Sequence, residues 1–172
     1  MKIFKVLFVI FILISIFPEK NYSAEKEKTF DGKGGRDDFS YLKAKNSDFK
    51  KGKDAFKQAK KLKKKNKDKK STKRFNDSLN YFLLAYNKNP ENLEILGFLG
   101  LVYKEVGDPI MSEIYYQDAL LIDPKNPLIN EGLGELYFDT KRMNLARERL
   151  EVLKSCGCEE YSNLKKVIEK IN

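Results

Sequence analysis

The sequence predicts an all-α protein, an α-solenoid of about three stacked helix pairs that ends in a capping helix. The first observation is a repeated motif, since Leu99-Gly100-x-x-Tyr103 recurs 34 residues later as Leu133-Gly134-x-x-Tyr137. The second is that the same offset relates residues of similar shape elsewhere, namely Pro90 and Pro124, Ala85 and Ala119, Phe82 and Tyr116, and Ser112 and Ala146. A period of about 20–50 residues is typical of solenoids, in which each unit buries its apolar face against the next.

The chain is expected to begin with an export signal that covers residues 1–24. Lys2 and Lys5 precede an apolar run from Val6 to Phe17 that only Ser15 interrupts, and small residues near Ala24 suit cleavage. The run is 12 residues long, whereas about 20 are needed to span the hydrocarbon core of a membrane. We therefore expect a periplasmic protein, the alternative being a protein held at the inner membrane by an uncleaved signal. A flexible polar leader is expected to follow over residues 25–40.

The repeat domain is expected to cover residues 41–172, with repeat one at about 48–90. Apolar residues at helical spacing predict its two helices, from about Phe39 or Asp48 to Leu62 and from about Phe75 to Asn87. If Gly52 is equivalent to Gly100, repeat one contains about fourteen more residues than repeat two before its closing proline. The extra residues coincide with a run of lysines, so a lysine-rich insertion is expected at 60–74.

The rest of the chain divides into repeat two at 93–126, repeat three at 127–158 and a capping helix at 159–171. Gly107-Asp108-Pro109 turns the chain within repeat two, because glycine suits a helix end and proline suits the next first turn. The last segment places Leu164, Val167 and Ile168 on one side, as expected of a helix that covers the final apolar face.

These features resemble the tetratricopeptide repeat, whose 34-residue unit carries W-x2-L-G-x2-Y, then A-x3-F, then P. Leu99, Gly100 and Tyr103, followed by Ala119 and Pro124, carry the resemblance in repeat two. The ending Cys-Gly-Cys-Glu-Glu-Tyr at 156–161 is also similar to that of small secreted bacterial proteins built from such repeats. The resemblance implies a non-enzymatic adaptor or scaffold that mediates protein–protein interaction.

Composition argues against catalysis. The 172 residues include no His, which removes the commonest general base and the commonest metal ligand. Neither a Ser-His nor a Cys-His nucleophile can be assembled from this chain. No cofactor and no metal site are expected.

A partner-binding groove is implied by the family resemblance, because the first helices of successive repeats line a concave surface. Transfer by repeat offset assigns nine residues to it: Glu94, Leu101, Lys104, Glu105, Leu128, Glu131, Glu135, Phe138 and Asp139. These residues predict an acidic groove with apolar spots. The expected partner is a basic or amphipathic peptide or helix of another exported or envelope protein. Self-association that extends the solenoid is left open.

Charge is unevenly distributed, because residues 50–74 carry a net charge of +12 whereas residues 75–172 carry −5. The basic patch consists of Lys60, Lys61, Lys63, Lys64, Lys65, Lys67, Lys69, Lys70, Lys73 and Arg74. Three interpretations are open. The patch is a solvated, frayed extension of the first helix pair, a tether to anionic lipid or polysaccharide at the envelope surface, or a nucleic-acid site. The last is the least expected, since no aromatic residues lie among the lysines.

The two cysteines, Cys156 and Cys158, are separated by one glycine. In an exported chain such a pair is expected to form a disulfide. Two structural interpretations are open, a link between repeat three and the cap or two buried thiols. The functional alternative is a thiol-redox accessory. Metal binding would need carboxylates as the further ligands.

Overall fold

The computed structural model describes residues 37–169, with side chains from residue 47 onward, and these residues form seven α-helices. They are α1 (Asp37–Lys63), α2 (Asp68–Lys88), α3 (Leu93–Val106), α4 (Pro109–Ile122), α5 (Pro127–Asp139), α6 (Met143–Leu153) and α7 (Glu159–Glu169). Consecutive helices pair as α1–α2, α3–α4 and α5–α6, and α7 packs on the last pair. The architecture is the expected α-solenoid with a capping helix. The signal predicted at 1–24 lies outside the described residues, as does most of the leader; its last positions, 37–40, are helical.

Side-chain caps define three of the four helix starts in repeats two and three, α6 being the exception. The Asn92 side chain accepts a hydrogen bond from the Ile95 amide at 3.0 Å, and Asn126, 34 residues later, accepts from Ile129 at 3.3 Å. Asp108 caps α4 in the same manner. Caps of this type satisfy amide groups that have no partner within the helix. Gly107 closes α3 with a left-handed φ of 88°, a conformation that glycine adopts without steric cost.

Close packing within the first two helix pairs depends on a glycine opposite an aromatic ring. A Cβ placed on Gly100 would lie 2.6 Å from the Tyr116 ring, and one placed on Gly52 would lie 2.6 Å from the Phe82 ring. A buried serine hydroxyl bonds each glycine carbonyl, Ser112 to Gly100 at 2.7 Å and Ser78 to Gly52 at 2.8 Å. The structure therefore makes Gly52 equivalent to Gly100, the condition on which the extra length of repeat one was inferred.

The prediction that residues 60–74 form an insertion between two shorter helices was wrong, because most of these residues belong to the helices themselves. α1 continues to Lys63 and α2 already begins at Asp68, so a short link joins two lengthened helices. Their packing continues too, since the buried Ser71 hydroxyl bonds the carbonyl of Ala59, which is fully buried. The fourteen extra residues are thus seven on each helix. Seven residues make almost two turns, so the buried stripe keeps its direction.

The capping helix closes the last repeat through Leu164, which is fully buried. The Cδ2 atom of Leu164 would lie 2.5 Å from a Cβ placed on Gly134, so this leucine fills the space beside the glycine of repeat three. Asn130, which stands at the tryptophan position of the repeat motif, is buried and donates to the carbonyls of Pro124 and Asn126. Among the helices of residues 37–169, none is long and apolar enough to cross a membrane.

A candidate partner-binding groove

A hollow of about 450 Å³ opens between α3 and α5, the first helices of repeats two and three. Its surface is mostly apolar, with carboxylates among the lining residues. The lining consists of Leu93, Glu94, Gly97, Phe98, Leu101, Tyr116, Asn126, Leu128, Ile129, Glu131, Gly132 and Glu135. We call this surface the groove.

Five of the nine residues expected in the groove line it: Glu94, Leu101, Leu128, Glu131 and Glu135. The structure places the other four elsewhere. Asp139 is exposed outside the groove, and Phe138 packs against the core. Lys104 and Glu105 are both engaged in ion pairs within the chain.

Glu105 pairs with the two lysines at the end of α1. Its carboxylate lies 2.7 Å from the Lys63 ammonium and 2.9 Å from that of Lys60, and only 8% of its side chain is exposed. Burial by itself would raise the pKa of Glu105, but the hydrogen bonds from Lys63 and Lys60 outweigh burial and lower it. Glu105 therefore joins repeat one to repeat two and is not available to a partner.

Two glycines open the groove to the interior. A Cβ on Gly97 would lie 2.6 Å from the Cδ1 atom of Ile129, and one on Gly132 would lie 2.7 Å from the Tyr116 hydroxyl oxygen. The Tyr116 side chain, 2% exposed overall, thus reaches from α4 between its neighbours to the groove floor. Its pKa is raised by burial and by the nearby carboxylates of Glu135, Glu105 and Glu131, so the phenol stays protonated.

The carboxylates of the groove differ in their partners. Glu94 lies 3.1 Å from the Lys53 ammonium, and Glu135 lies 2.6 Å from that of Lys104. Glu131 forms no ion pair with another described residue, and the nearby Asn163 side chain acts to lower its pKa. Burial raises the pKa of Glu131, and the negative charges of Glu135, Glu160 and Glu159 raise it further. This end of the groove therefore carries uncompensated negative potential.

The repeat offset could have identified more of the groove than it did. Phe98 and Gly132 are 34 residues apart and both line it, yet neither was predicted to do so. Gly97 occupies the position equivalent to Glu131. Gly97 and Gly132 were missed because glycine has no side chain that could mark a binding surface. Phe98 was missed because it suits the core equally well, and its ring stacks on that of Phe82 with 5.0 Å between ring centroids.

The basic patch is divided between two environments. Lys60 and Lys63 bind Glu105, and Arg74 also pairs with Asp77 at 3.2 Å. A second hollow of about 530 Å³ lies where α1 ends and α2 begins, and its basic lining consists of Lys61, Lys65, Lys67, Lys70, Lys73 and Arg74. Lys64 and Lys69 are exposed nearby but line neither hollow.

Cys156 and Cys158 form a disulfide in the link between α6 and α7. The Cα atoms are 5.1 Å apart, and Gly157 between them has a φ of 60°, in the region that favours glycine. Within the described part of the chain, no three His, Cys, Asp or Glu residues lie close enough together to hold a metal ion.

Stacked helix pairs with a groove along their first helices define a helical-repeat protein. A family model described as tetratricopeptide repeat matches residues 93–126, the boundaries predicted for repeat two. Residues 93–126 therefore match a tetratricopeptide repeat, and the helix pairs before and after them share its architecture.

Solved structures of similar fold agree with this assignment. The second tetratricopeptide-repeat domain of human RPAP3, in complex with the HSP70 peptide SGPTIEEVD, is 14% identical with a TM-score of 0.54; the match covers 73% of this chain and 98% of that one. The Arabidopsis OM64 tetratricopeptide-repeat domain is 16% identical with a TM-score of 0.52, over 73% and 99% of the two chains.

A bacterial structure is similar as well. The Yersinia enterocolitica type III secretion chaperone SycD, in complex with a peptide of the translocator YopD, is 14% identical with a TM-score of 0.51, over 69% of this chain and 90% of that one. At identities of 14–16%, the likeness to these structures shows a shared fold alone. No curated protein matches the sequence.

Proposed function

We propose that this protein is a non-enzymatic adaptor that binds an amphipathic, positively charged segment of a partner protein in the groove between α3 and α5. The observation that carries the proposal is the combination of an apolar floor with the carboxylate of Glu131, which no basic side chain of the described residues neutralises. RPAP3 and SycD hold peptides on the same fold. The expected export signal makes another exported or envelope protein the proposed source of the segment.

The apolar half of the recognition rests on side chains that the fold does not need. Leu128 lines the groove and is 65% exposed, so an apolar side chain of a partner would cover it. Each methylene group removed from water on binding contributes about 0.8 kcal/mol. The concave shape also allows a partner side chain to be enclosed on several sides.

The carboxylates of the groove determine the sign of the charge that a partner segment must carry. A lysine or arginine beside Glu131 would offset the negative charges of Glu135, Glu159 and Glu160 that now raise the pKa of Glu131. An acidic segment would be repelled there. Acidic peptides such as SGPTIEEVD of the RPAP3 complex are accordingly poor candidates for this groove.

The test is selection of peptides from a random library on the full chain, followed by affinity measurements on a selected peptide. Leu128→Lys should weaken binding at least about tenfold, since it places a charge on the apolar floor. The matched control is Leu121→Lys, because Leu121 is 83% exposed and lies outside the groove. Equal affinities of the two variants, or selection of acidic peptides, would exclude the proposal.

A further inference from the structure

We infer that the basic hollow at the tip of the α1–α2 hairpin is a binding site for a flexible, phosphate-dense polyanion. The hollow is remote in sequence from the groove and shares no lining residue with it, so the inference stands or falls independently of the proposed function. Six basic side chains line the hollow, and only one of them, Arg74, forms an ion pair with another described residue.

The ion pairs of the hairpin separate structural lysines from unused ones. Lys60 and Lys63 lie on the side that faces α3 and are both within 3.0 Å of Glu105. Of the side chains that line the hollow, Arg74 alone forms an ion pair among the described residues, with Asp77 of its own helix. The fold therefore uses two lysines of the patch to join repeats and leaves the hollow with five unpaired ammonium groups.

The lining residues come from both helices of the hairpin and from the link between them. Lys61 belongs to the last turns of α1, Lys65 and Lys67 to the link, and Lys70, Lys73 and Arg74 to the first turns of α2. The helices are held in place beneath them by the buried contact of Ser71 with Ala59. Basic groups gathered from two helices and their link around one hollow suit a thin flexible chain, since several of its phosphates can be neutralised at once.

The composition of the lining argues against two other anionic partners. Besides the basic residues it contains only Gln58 and Leu62, so no aromatic ring is present on which nucleic-acid bases could stack. Insertion into a membrane interface also relies on exposed apolar or aromatic side chains, and Leu62 is the single apolar residue of this lining.

The experiment measures binding of inorganic polyphosphate to the full chain by titration calorimetry over a range of salt concentrations. Binding should saturate at one site. For single-stranded nucleic acids, the logarithm of the affinity falls with the logarithm of the salt concentration by about 0.7 per neutralised phosphate. If polyphosphate behaves alike and about six phosphates are neutralised, its affinity should fall roughly 300-fold between about 50 and about 200 mM salt.

Two variants of equal charge decide whether the hollow is responsible. Lys61→Gln/Lys65→Gln removes two lining side chains and should weaken binding at least about tenfold at low salt, with a salt slope reduced by about a third. Lys64→Gln/Lys69→Gln removes the same charge from the same tip without touching the hollow, and should change affinity less than about threefold. Because all four lysines are exposed, both variants should fold, which thermal unfolding checks.

Three outcomes would overturn the inference. One is absence of saturable polyphosphate binding, and another is equal loss in the two variants, which would indicate diffuse charge in place of a site. The third is tighter binding, at equal phosphate concentration, to oligodeoxythymidylate or to phosphatidylglycerol-containing vesicles, when that binding is lost in Lys61→Gln/Lys65→Gln. Such a result would assign the hollow to nucleic acid or to a membrane.

Discussion

The hydroxyl of Ser71 donates a hydrogen bond of 3.0 Å to the carbonyl of Ala59. The pair repeats the contact between Ser78 and Gly52, seven residues closer to the hairpin tip on each helix. The aromatic packing repeats with it, since Phe56 meets Phe75 at 5.6 Å and Phe49 meets Phe82 at 5.6 Å. The hairpin is therefore lengthened by one heptad on each helix, with the interface between the two helices unchanged in kind.

Removal of one heptad from each helix should preserve the fold. Deletion of residues 53–59 and 71–77 leaves the remaining side chains in phase, because seven residues differ from two full turns by only about 20°. The deletion would be made in a Glu105→Gln background, since Glu105 loses Lys60 and Lys63. We expect cooperative thermal unfolding. Deletion of 53–57 and 73–77 rotates the following residues by about 140° and should abolish cooperative unfolding; cooperative unfolding of both chains would contradict the heptad interpretation.

Two glycines of α3 should respond differently to alanine. Gly100→Ala places a Cβ 2.6–2.8 Å from three ring carbons of the buried Tyr116, so we expect a loss of about 1–3 kcal/mol in the free energy of unfolding. Gly97→Ala meets only the Cδ1 atom of Ile129, which can move, and gains about 1 kcal/mol of helix propensity. Urea unfolding should find Gly97→Ala within about 1 kcal/mol of the wild type. A larger loss for Gly97→Ala than for Gly100→Ala would contradict the packing described.

Glu105 and Glu131 should contribute to stability with opposite pH dependence. The pKa of Glu105 is below its ordinary value of 4.5, so its contribution is present above that value and is lost as pH falls through the lowered pKa. The pKa of Glu131 is above 4.5, so the folded state loses stability as pH rises from that value through the raised pKa. Urea unfolding at pH 7 should find Glu105→Gln less stable and Glu131→Gln more stable than the wild type.

The matched control for both substitutions is Glu148→Gln, at an exposed position of α6, which should change little. The same measurement repeated at pH values below 4.5 should progressively reduce the deficit of Glu105→Gln, because the contribution of the carboxylate is lost as pH falls through its lowered pKa. A deficit that stays constant with pH would show that the ion pairs with Lys60 and Lys63 are not its cause.

The disulfide should stabilise the fold only modestly. It closes a loop in which a single residue separates Cys156 from Cys158, and the chain-entropy model gives about 1–2 kcal/mol for such a short loop. Cys156→Ser/Cys158→Ser should therefore unfold cooperatively, with a free energy of unfolding lower by that amount. Reductant should lower the stability of the wild type and leave the variant unchanged. A loss above about 4 kcal/mol would show that the link holds α7 in place.

The sequence predicted the helices of repeats two and three closely, because Leu99, Gly100 and Tyr103 recur at one offset as Leu133, Gly134 and Tyr137. It did not predict where α2 begins. The first turns of α2 are rich in lysine, and one of their buried residues, Ser71, is polar, so apolar periodicity gives no signal there. The groove was predicted in part for a different reason. Glu105 is paired with lysines 42 and 45 residues away, and such distant contacts leave no local trace in the sequence.

The added heptad has a consequence for distances within the molecule. Seven residues of helix are about 10 Å long, so the lysine tip stands that much farther from the repeat interface than a hairpin of ordinary length would place it. The ion pairs of Lys60 and Lys63 with Glu105 hold the end of the α1–α2 hairpin against α3. The hairpin is thus a rigid spacer between the groove and the tip, and its length can change without loss of register only in steps of about 10 Å.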